Sequence, residues 1–475
     1  MDQKRTPLYD RLIHHAESDP VSFHVPGHKY GEVFPEKAKR YFREMLKLDA
    51  TELTGLDDLH SPEGAILEAE ELLGSLYSSR KSYFLVNGST VGNLAMILAT
   101  LGEDDVVLVQ RNSHKSIMNG IRMAKAHPVF LRPEIGEDGK IAGGVSLETV
   151  KAAIEAFPAA KALILTYPNY FGMVYELGAI IEAAHSRNIP VLVDEAHGVH
   201  FIAGEFFPTS AVALGADAIV QSAHKTLPAM TMGAFLHINS TRLSLEKVGE
   251  YLATLQSSSP SYPLMASLDL ARSYLGTFKC KDRQALAGRI TEFRDKIGSM
   301  PNLDVLPVNG GDPLKLTIKL AGGQTGYDFQ RLLEEEGLYS ELADPYHVLL
   351  VLPLLKQGMS DRLDEAAGKI KAAALKLVPA ICGPDFPLFV QKPFSTMAAG
   401  FHEISKMDEV KVPLAEAAGQ ICAEMIIPYP PGVPLCMPGV RIRQEEVEQL
   451  LFLVSHGAKI QGGSLLQEGL LKIIK

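Results

Sequence analysis

With 475 residues, 46% hydrophobic and 21% charged, the chain is long enough for a large domain, a smaller one and a short N-terminal arm. A formal charge of -10 argues against nucleic acid or an anionic membrane as the main partner, because phosphates are held chiefly by Lys and Arg, and it suits a cationic substrate. Cys280, Cys382, Cys422 and Cys436 lie far apart without CxxC spacing, which predicts buried reduced thiols and, with a polar N-terminus and no apolar run long enough to span a bilayer, a cytoplasmic protein.

In chain order, Leu8, Leu12 and Ile13 share one face of a predicted helix over residues 7 to 17, which Pro26 and Gly27 of the HVPGHK segment prevent from continuing. From about residue 64 a helical pattern leads into the apolar run Tyr83 to Val86. Short β-rich runs then recur at Val106 to Val109, Val129 to Leu131, Ala162 to Leu165, Val191 to Val193, Ala218 to Val220 and Ala234 to Ile238. Helical stretches at Ser146 to Phe157 and Leu177 to Asn188 fall between them. Alternation on this scale predicts parallel strands joined by crossovers, and the continuous apolar character of the runs predicts strands covered on both faces. The fold class is therefore α/β: a mostly parallel sheet in a three-layer α/β/α large domain over residues 64–290. Residues 1–63 read as an N-terminal arm with entry loops. Residues 291–475 read as a smaller α+β domain, with alternation at Leu314 to Leu320, a helix at Asp328 to Glu336, a strand at Val348 to Leu352 and an Ala-rich helix over 361–378.

Three segments carry chemistry. Asn87 to Asn93 joins a strand to a helix start bearing Ser89 and Thr90, whose hydroxyls and free backbone N–H groups suit a phosphate; a plainly capped helix would use the same residues. Val191 to Gly198 ends a strand on Asp194, where a carboxylate can keep a pyridine nitrogen protonated. Its DEAH letters also head a helicase motif, but the GxxxxGK[ST] loop that motif requires is missing from the sequence. Ala218 to Thr226 ends a strand beside His224 and Lys225. A lone lysine there is ordinarily a solvated surface charge, yet one partly removed from water can form a Schiff base with an aldehyde. Together the three supply an anion cradle, a pyridinium partner and an amine, the parts a pyridoxal 5'-phosphate site requires.

NGSTVGN, RNSHKS, DEAHG and QSAHK, in this order, resemble the fold-type-I pyridoxal-phosphate enzymes. HVPGHK, TELTGLDDLHSPEGAI and YPPGVPLCMPG narrow the resemblance to the bacterial ornithine/lysine/arginine decarboxylases over nearly the whole chain, in a short form without the wing domain of the long members. The resemblance implies Lys225 as the cofactor-bearing lysine, Asp194 on the pyridine nitrogen and His114 stacked on the ring. Ser89, Thr90, the Val91 backbone, Ser222 and His224 would hold the phosphate. His197 stands where long members carry Trp and where other fold-type-I enzymes place a His near the phenolic oxygen, and Val440 stands where many members carry Glu. Lys225 or His224 is the candidate acid that reprotonates Cα.

A basic amino-acid substrate would meet carboxylates, for which Asp57, Asp58, Glu341 and Asp344 are candidates, although each can equally be an ordinary solvated acid. Short members of the family most resemble arginine decarboxylases making agmatine for polyamine synthesis, so arginine leads and lysine or ornithine follows. An α-oxoamine synthase, an aldolase-like lyase and a non-catalytic protein of the same fold are the alternatives. Neither His24 with His28 nor His197 with His200 reads as a metal pair. The family implies a homodimer or larger assembly of identical chains.

Overall fold

The computed structural model describes residues 1–136, 141–320, 324–377, 392–428 and 432–475. In chain order its elements begin with α1 (Pro7–Glu17), α2 (Glu36–Leu48), α3 (Ala65–Tyr77), β1 (Lys81–Leu85), α4 (Gly88–Leu98), β2 (Val106–Gln110), α5 (Lys115–Ala124) and β3 (His127–Leu131). Next come α6 (Leu147–Ala156), β4 (Ala162–Thr166), α7 (Leu177–His185), β5 (Val191–Asp194), β6 (Ala218–Gln221), the single turn α8 (Ala223–Thr226) and β7 (Ala234–Ile238). Three long helices follow: α9 (Leu245–Leu255), α10 (Tyr262–Gly276) and α11 (Cys280–Gly298). The strands expected from continuous apolar runs are all present, and β4 to β7 are buried almost end to end.

The chain divides into two compact units, one formed by Met1–Thr100 and Pro190–Lys279, the other by Leu101–Ile189 and Cys280–Lys475. In the first, the strand order is β1-β7-β6-β5. β5 and β6 are parallel with Asp194 opposite Val220, whereas β7 runs antiparallel to both β6 and β1. Two reversals leave β1, β5 and β6 pointing the same way. Their carboxyl ends, and the loops that follow them, therefore open at one edge, where ligands of α/β proteins bind.

The same unit holds the N-terminal segment by a buried ion pair. The Arg272 guanidinium lies 2.6 Å from Asp269 with both side chains fully buried, and it donates to the carbonyls of Gln3 and Arg5. Asp269 in turn accepts the backbone N–H of Leu8 at 3.0 Å at the start of α1. Helix α2 lies within the stretch read as arm and loops; of its residues only Leu46 is buried.

In the second unit β2 lies between β4 and β3, parallel to both, and Phe394–Thr396 adds an antiparallel edge to β3. A separate antiparallel sheet contains Leu303–Val305, Lys315–Leu320, Leu342–Ala343 and His347–Val351. Further on, Leu470–Ile474 pairs with Glu409–Pro413 over an apolar cluster that includes Cys422 and Cys436. Those two cysteines are buried as expected, but Cys280 is exposed because it opens α11 at the surface; Cys382 lies outside the described residues. No described helix is long and apolar enough to cross a membrane.

Candidate active site

β1 ends in a sharp turn at Gly88, whose φ of +72° favours glycine, and α4 starts at once. Asn87, at the N-cap, makes no side-chain capping bond. The Gly88 N–H donates to the Met232 carbonyl at 2.8 Å, which leaves the N–H groups of Ser89 and Thr90, beside their hydroxyls, to face an anion, and Val91 beneath them is buried. A Cβ on Gly92 would stand 2.7 Å from Leu85 and 3.0 Å from Val220, so glycine there lets the helix start sit close on the strands.

β5 delivers Asp194, 3% exposed, with both oxygens engaged: Asn93 of α4 donates its amide to Oδ2 at 2.9 Å and the Ala196 N–H approaches Oδ1 at 3.2 Å. Such donors stabilise an ionised carboxylate out of water. β6 leads into Ser222, His224 and Lys225 on the turn α8. The Lys225 Nζ lies 2.9 Å from Nε2 of the buried His197, and Nδ1 of His224 donates to the Gly233 carbonyl at 2.9 Å. Ser222 Oγ is buried without a hydrogen-bond partner, an unusual cost unless a ligand atom supplies one. A helix start free of side-chain caps, an orphaned buried hydroxyl, a buried carboxylate and an amine paired with imidazole fit a phosphorylated pyridine aldehyde.

The structure thus gathers Ser89, Thr90, Val91, Asp194, His197, Ser222, His224 and Lys225 within the first unit. His114 belongs to the second unit, where it caps α5 with its ring Nδ1 2.8 Å from Ser116 Oγ. The turn that carries it is tied down locally, since Arg111 donates to the carbonyls of Pro434 and Leu435 at 2.6 and 2.8 Å. Residues 429–431 of the YPPGVP segment lie outside the described residues.

The four candidate substrate carboxylates are differently employed. Asp57 accepts the N–H groups of Glu63, Gly64 and Ile66 at 2.8 to 2.9 Å and so caps α3; burial would raise its pKa, but these backbone bonds outweigh it and the carboxyl stays below its ordinary range. Asp344 is bound by the N–H groups of Tyr346 and His347 and by the His347 ring. Asp58 accepts only the His60 N–H among the described side-chain bonds, and Glu341, exposed, takes the Tyr170 hydroxyl at 2.5 Å. Asp57 and Asp58 belong to the first unit and Glu341 and Asp344 to the second.

Two residues of this edge escaped the sequence reading. Asn93 sits one turn into α4, where an amide on a buried helix face is the signal. Glu195 follows Asp194 and is fully buried at the end of a strand, where a charged side chain is rare.

Comparison with known proteins fixes the family. The description "Orn/Lys/Arg decarboxylase, major domain" matches residues 6–313, and its C-terminal domain matches residues 387–461. The chain belongs to the Orn/Lys/Arg decarboxylase family. It is 46% identical to an uncharacterized Bacillus subtilis protein, YaaO, over 98% of this chain and 97% of that one. A protein of the same organism named arginine decarboxylase is 34% identical, with 100% and 99% covered. In three dimensions the Francisella novicida lysine decarboxylase is similar with a TM-score of 0.80 at 21% identity, over 99% of this chain and 81% of that one, so the fold-type-I architecture is shared. Membership makes the chain a pyridoxal-phosphate-dependent decarboxylase.

Proposed function

We propose that the protein decarboxylates L-arginine to agmatine in the cytoplasm, for polyamine synthesis. Support for the substrate comes from full-length similarity to a relative named arginine decarboxylase. The observation that carries the chemistry is the Lys225–His197 contact beside a buried, doubly hydrogen-bonded Asp194.

In this reading Lys225 would be the residue that carries the cofactor through its amine, and Asp194 would keep the ring nitrogen charged. The family resemblance would give His114 the role of stacking on the cofactor ring. Ser89, Thr90, the Val91 N–H, Ser222 and His224 hold the phosphate, with Ser222 Oγ gaining the partner it otherwise lacks. The cofactor, when bound, supplies the electron sink for loss of CO2. His197 Nε2, at 2.9 Å, can take a proton from Lys225 Nζ and return it, which readies the amine for exchange with substrate. Lys225 Nζ or His224 delivers the proton to Cα. Within the first unit Asp58 is a better candidate for a guanidinium than Asp57, and within the second Glu341 is a better one than Asp344, since Asp57 and Asp344 are occupied with backbone N–H groups.

A homodimer is part of the proposal. Val21, Phe23 and Val25 are 80%, 95% and 63% exposed at alternating positions, an apolar row of the kind a second copy covers.

Amine analysis after incubation with arginine, lysine and ornithine tests the reading. Agmatine from arginine, with far less product from the other two, is expected; cadaverine as the main product would transfer the assignment to lysine.

A further inference from the structure

Glu195 plays no part in the chemistry above, yet it is fully buried beside Asp194. Its Oε1 accepts the Ala211 N–H at 2.6 Å, and its Oε2 accepts Gln221 Nε2 at 2.6 Å and Ser210 Oγ at 2.9 Å. Gln221 is the last residue of β6, immediately before the segment that ends in Lys225. Glu195 lies just past the end of β5, one position after Asp194 and two before His197. The carboxylate–amide contact therefore joins the two strand ends that carry the amine and the ring-nitrogen partner.

The Gln221 amide has its orientation set from behind. His237 Nε2 lies 3.1 Å from Gln221 Oε1, and His237 Nδ1 lies 2.7 Å from Ser82 Oγ. With Ser82 donating to Nδ1, Nε2 carries the ring proton and donates to Oε1, which leaves the Gln221 NH2 to face Glu195. Burial depresses the His237 pKa to about 3, in keeping with this neutral tautomer. Burial likewise pushes Glu195 up to about 8, against the opposing pull of its three donors. Protonation does not break the bridge, because a neutral carboxyl keeps acceptor capacity and Gln221 keeps donating to it. The loop beyond is fastened as well: Gly198 N–H donates to the Glu195 carbonyl at 2.9 Å, and the Tyr77 hydroxyl donates to the Val199 carbonyl at 2.5 Å.

We infer that Glu195 and Gln221 are a pair of positioning residues, a buried bridge that sets the placement of Lys225 against Asp194 and His197 without touching substrate. A small misplacement of a reacting group costs far more rate than binding. The inference rests on the decarboxylase reading and adds to it a named device of alignment.

The test compares Gln221→Met, which keeps the length and apolar fit but cannot bridge, with Ser210→Ala, which removes a Glu195 partner and leaves the bridge. Two quantities are read on purified holoenzyme: steady-state kinetics with arginine, and the midpoint of the pH titration of the cofactor's visible absorbance, which needs no substrate. For Gln221→Met, kcat is expected to fall about 10²-fold with KM changed less than about threefold, and the midpoint to move by about half a unit or more. Ser210→Ala is expected to stay within about threefold of wild type in kcat, with its midpoint in place. A folded Gln221→Met protein with wild-type kcat and midpoint overturns the inference, as does Ser210→Ala losing as much as Gln221→Met. Should the methionine variant not fold, Gln221→Asn, too short to bridge, is judged by the same criteria. If wild type releases no agmatine from arginine, the substrate reading fails, and the absorbance midpoints still decide the bridge.

Discussion

Two regions of the first unit are built on opposite terms. Around the ends of β5 and β6, polar side chains are buried and paired: Asp194, Glu195, Gln221 and His237 are each 3% exposed or less. In the stretch from Val21 to Val33, apolar side chains stand in water, with Phe23 95% exposed. Burying a polar group is costly unless every hydrogen bond is made, whereas exposing an apolar one forgoes burial that a partner can supply. The first region is thus fixed by the chain itself, and the second is set up for a neighbour. Substitutions in the first should act on chemistry and stability, and those in the second on assembly.

The largest effect belongs to Lys225. Lys225→Ala is expected to lower turnover by about 10⁴-fold or more and to remove the visible absorbance of lysine-bound cofactor. Amine release and an absorbance spectrum check it, and retained activity would contradict the assignment. Asp194→Ala comes next. It should leave part of the cofactor bound while slowing the reaction by about 10² to 10³-fold, because the ring nitrogen loses its buried counter-charge. Full activity in that variant would separate Asp194 from the ring.

Away from the strand ends, the Arg272–Asp269 pair tests whether the N-terminal segment is held as firmly as the site. Arg272→Ala would leave a buried Asp269, whose carboxyl burial already raises in pKa against the pull of Arg272 itself. A loss of about 3 to 5 kcal/mol in urea unfolding is expected, with the cofactor absorbance of the folded protein unchanged. A change under about 1 kcal/mol would show that Gln3, Arg5 and Leu8 are anchored by something else.

Much of this was legible in the sequence because continuous apolar runs of strand length, each followed by a polar turn, can hardly be anything but buried strands. That gave β2 to β7 and the order of Ser89, Asp194 and Lys225 along the chain. Helix α2 does carry a helical pattern, with Ala38, Tyr41, Phe42, Met45 and Leu46 on one face, but half of KAKRYFREMLKL is charged and that face buries only Leu46, so the segment reads as an arm rather than as a packed element. The Glu195 bridge was hidden for a different reason. Its partners lie at positions 210, 211 and 221, and nothing local announces which buried donors will converge on a carboxylate. Likewise Asp57, a plausible substrate acid by its letters, spends its oxygens on the start of α3, a use visible only once the chain has folded back.

A smaller effect follows from the pH response of the buried network. His237 has a folded pKa of about 3, below its ordinary 6.5, so the unfolded chain binds the proton more readily. Its contribution to stability is complete above about pH 6.5 and is lost as pH falls toward 3. Glu195, raised to about 8, works with the other sign: its contribution is present below its ordinary value near 4.5 and is lost as pH rises toward 8. His237→Gln, neutral at every pH, should lower stability at pH 7 yet flatten its decline between pH 6.5 and 3 by a few kcal/mol, on the order of 1.4 kcal/mol for each pH unit between the folded and unfolded values. Thermal melts of both proteins across that range check it; parallel curves would mean that His237 does not titrate against folding.

The smallest expected change in stability lies in the exposed row. Phe23→Ser removes an aromatic ring that touches solvent on almost every side, so the unfolding free energy of the isolated chain should move by no more than about 0.5 kcal/mol. If Val21, Phe23 and Val25 meet a second copy, the same substitution takes a ring out of an interface, where a central aromatic commonly contributes about 2 kcal/mol or more. Sedimentation across a concentration series separates the two regimes: the variant should dissociate at a concentration at least about tenfold higher than wild type while melting at the same temperature once dissociated. Identical sedimentation at every concentration would place the contact between copies elsewhere and leave the row without a partner.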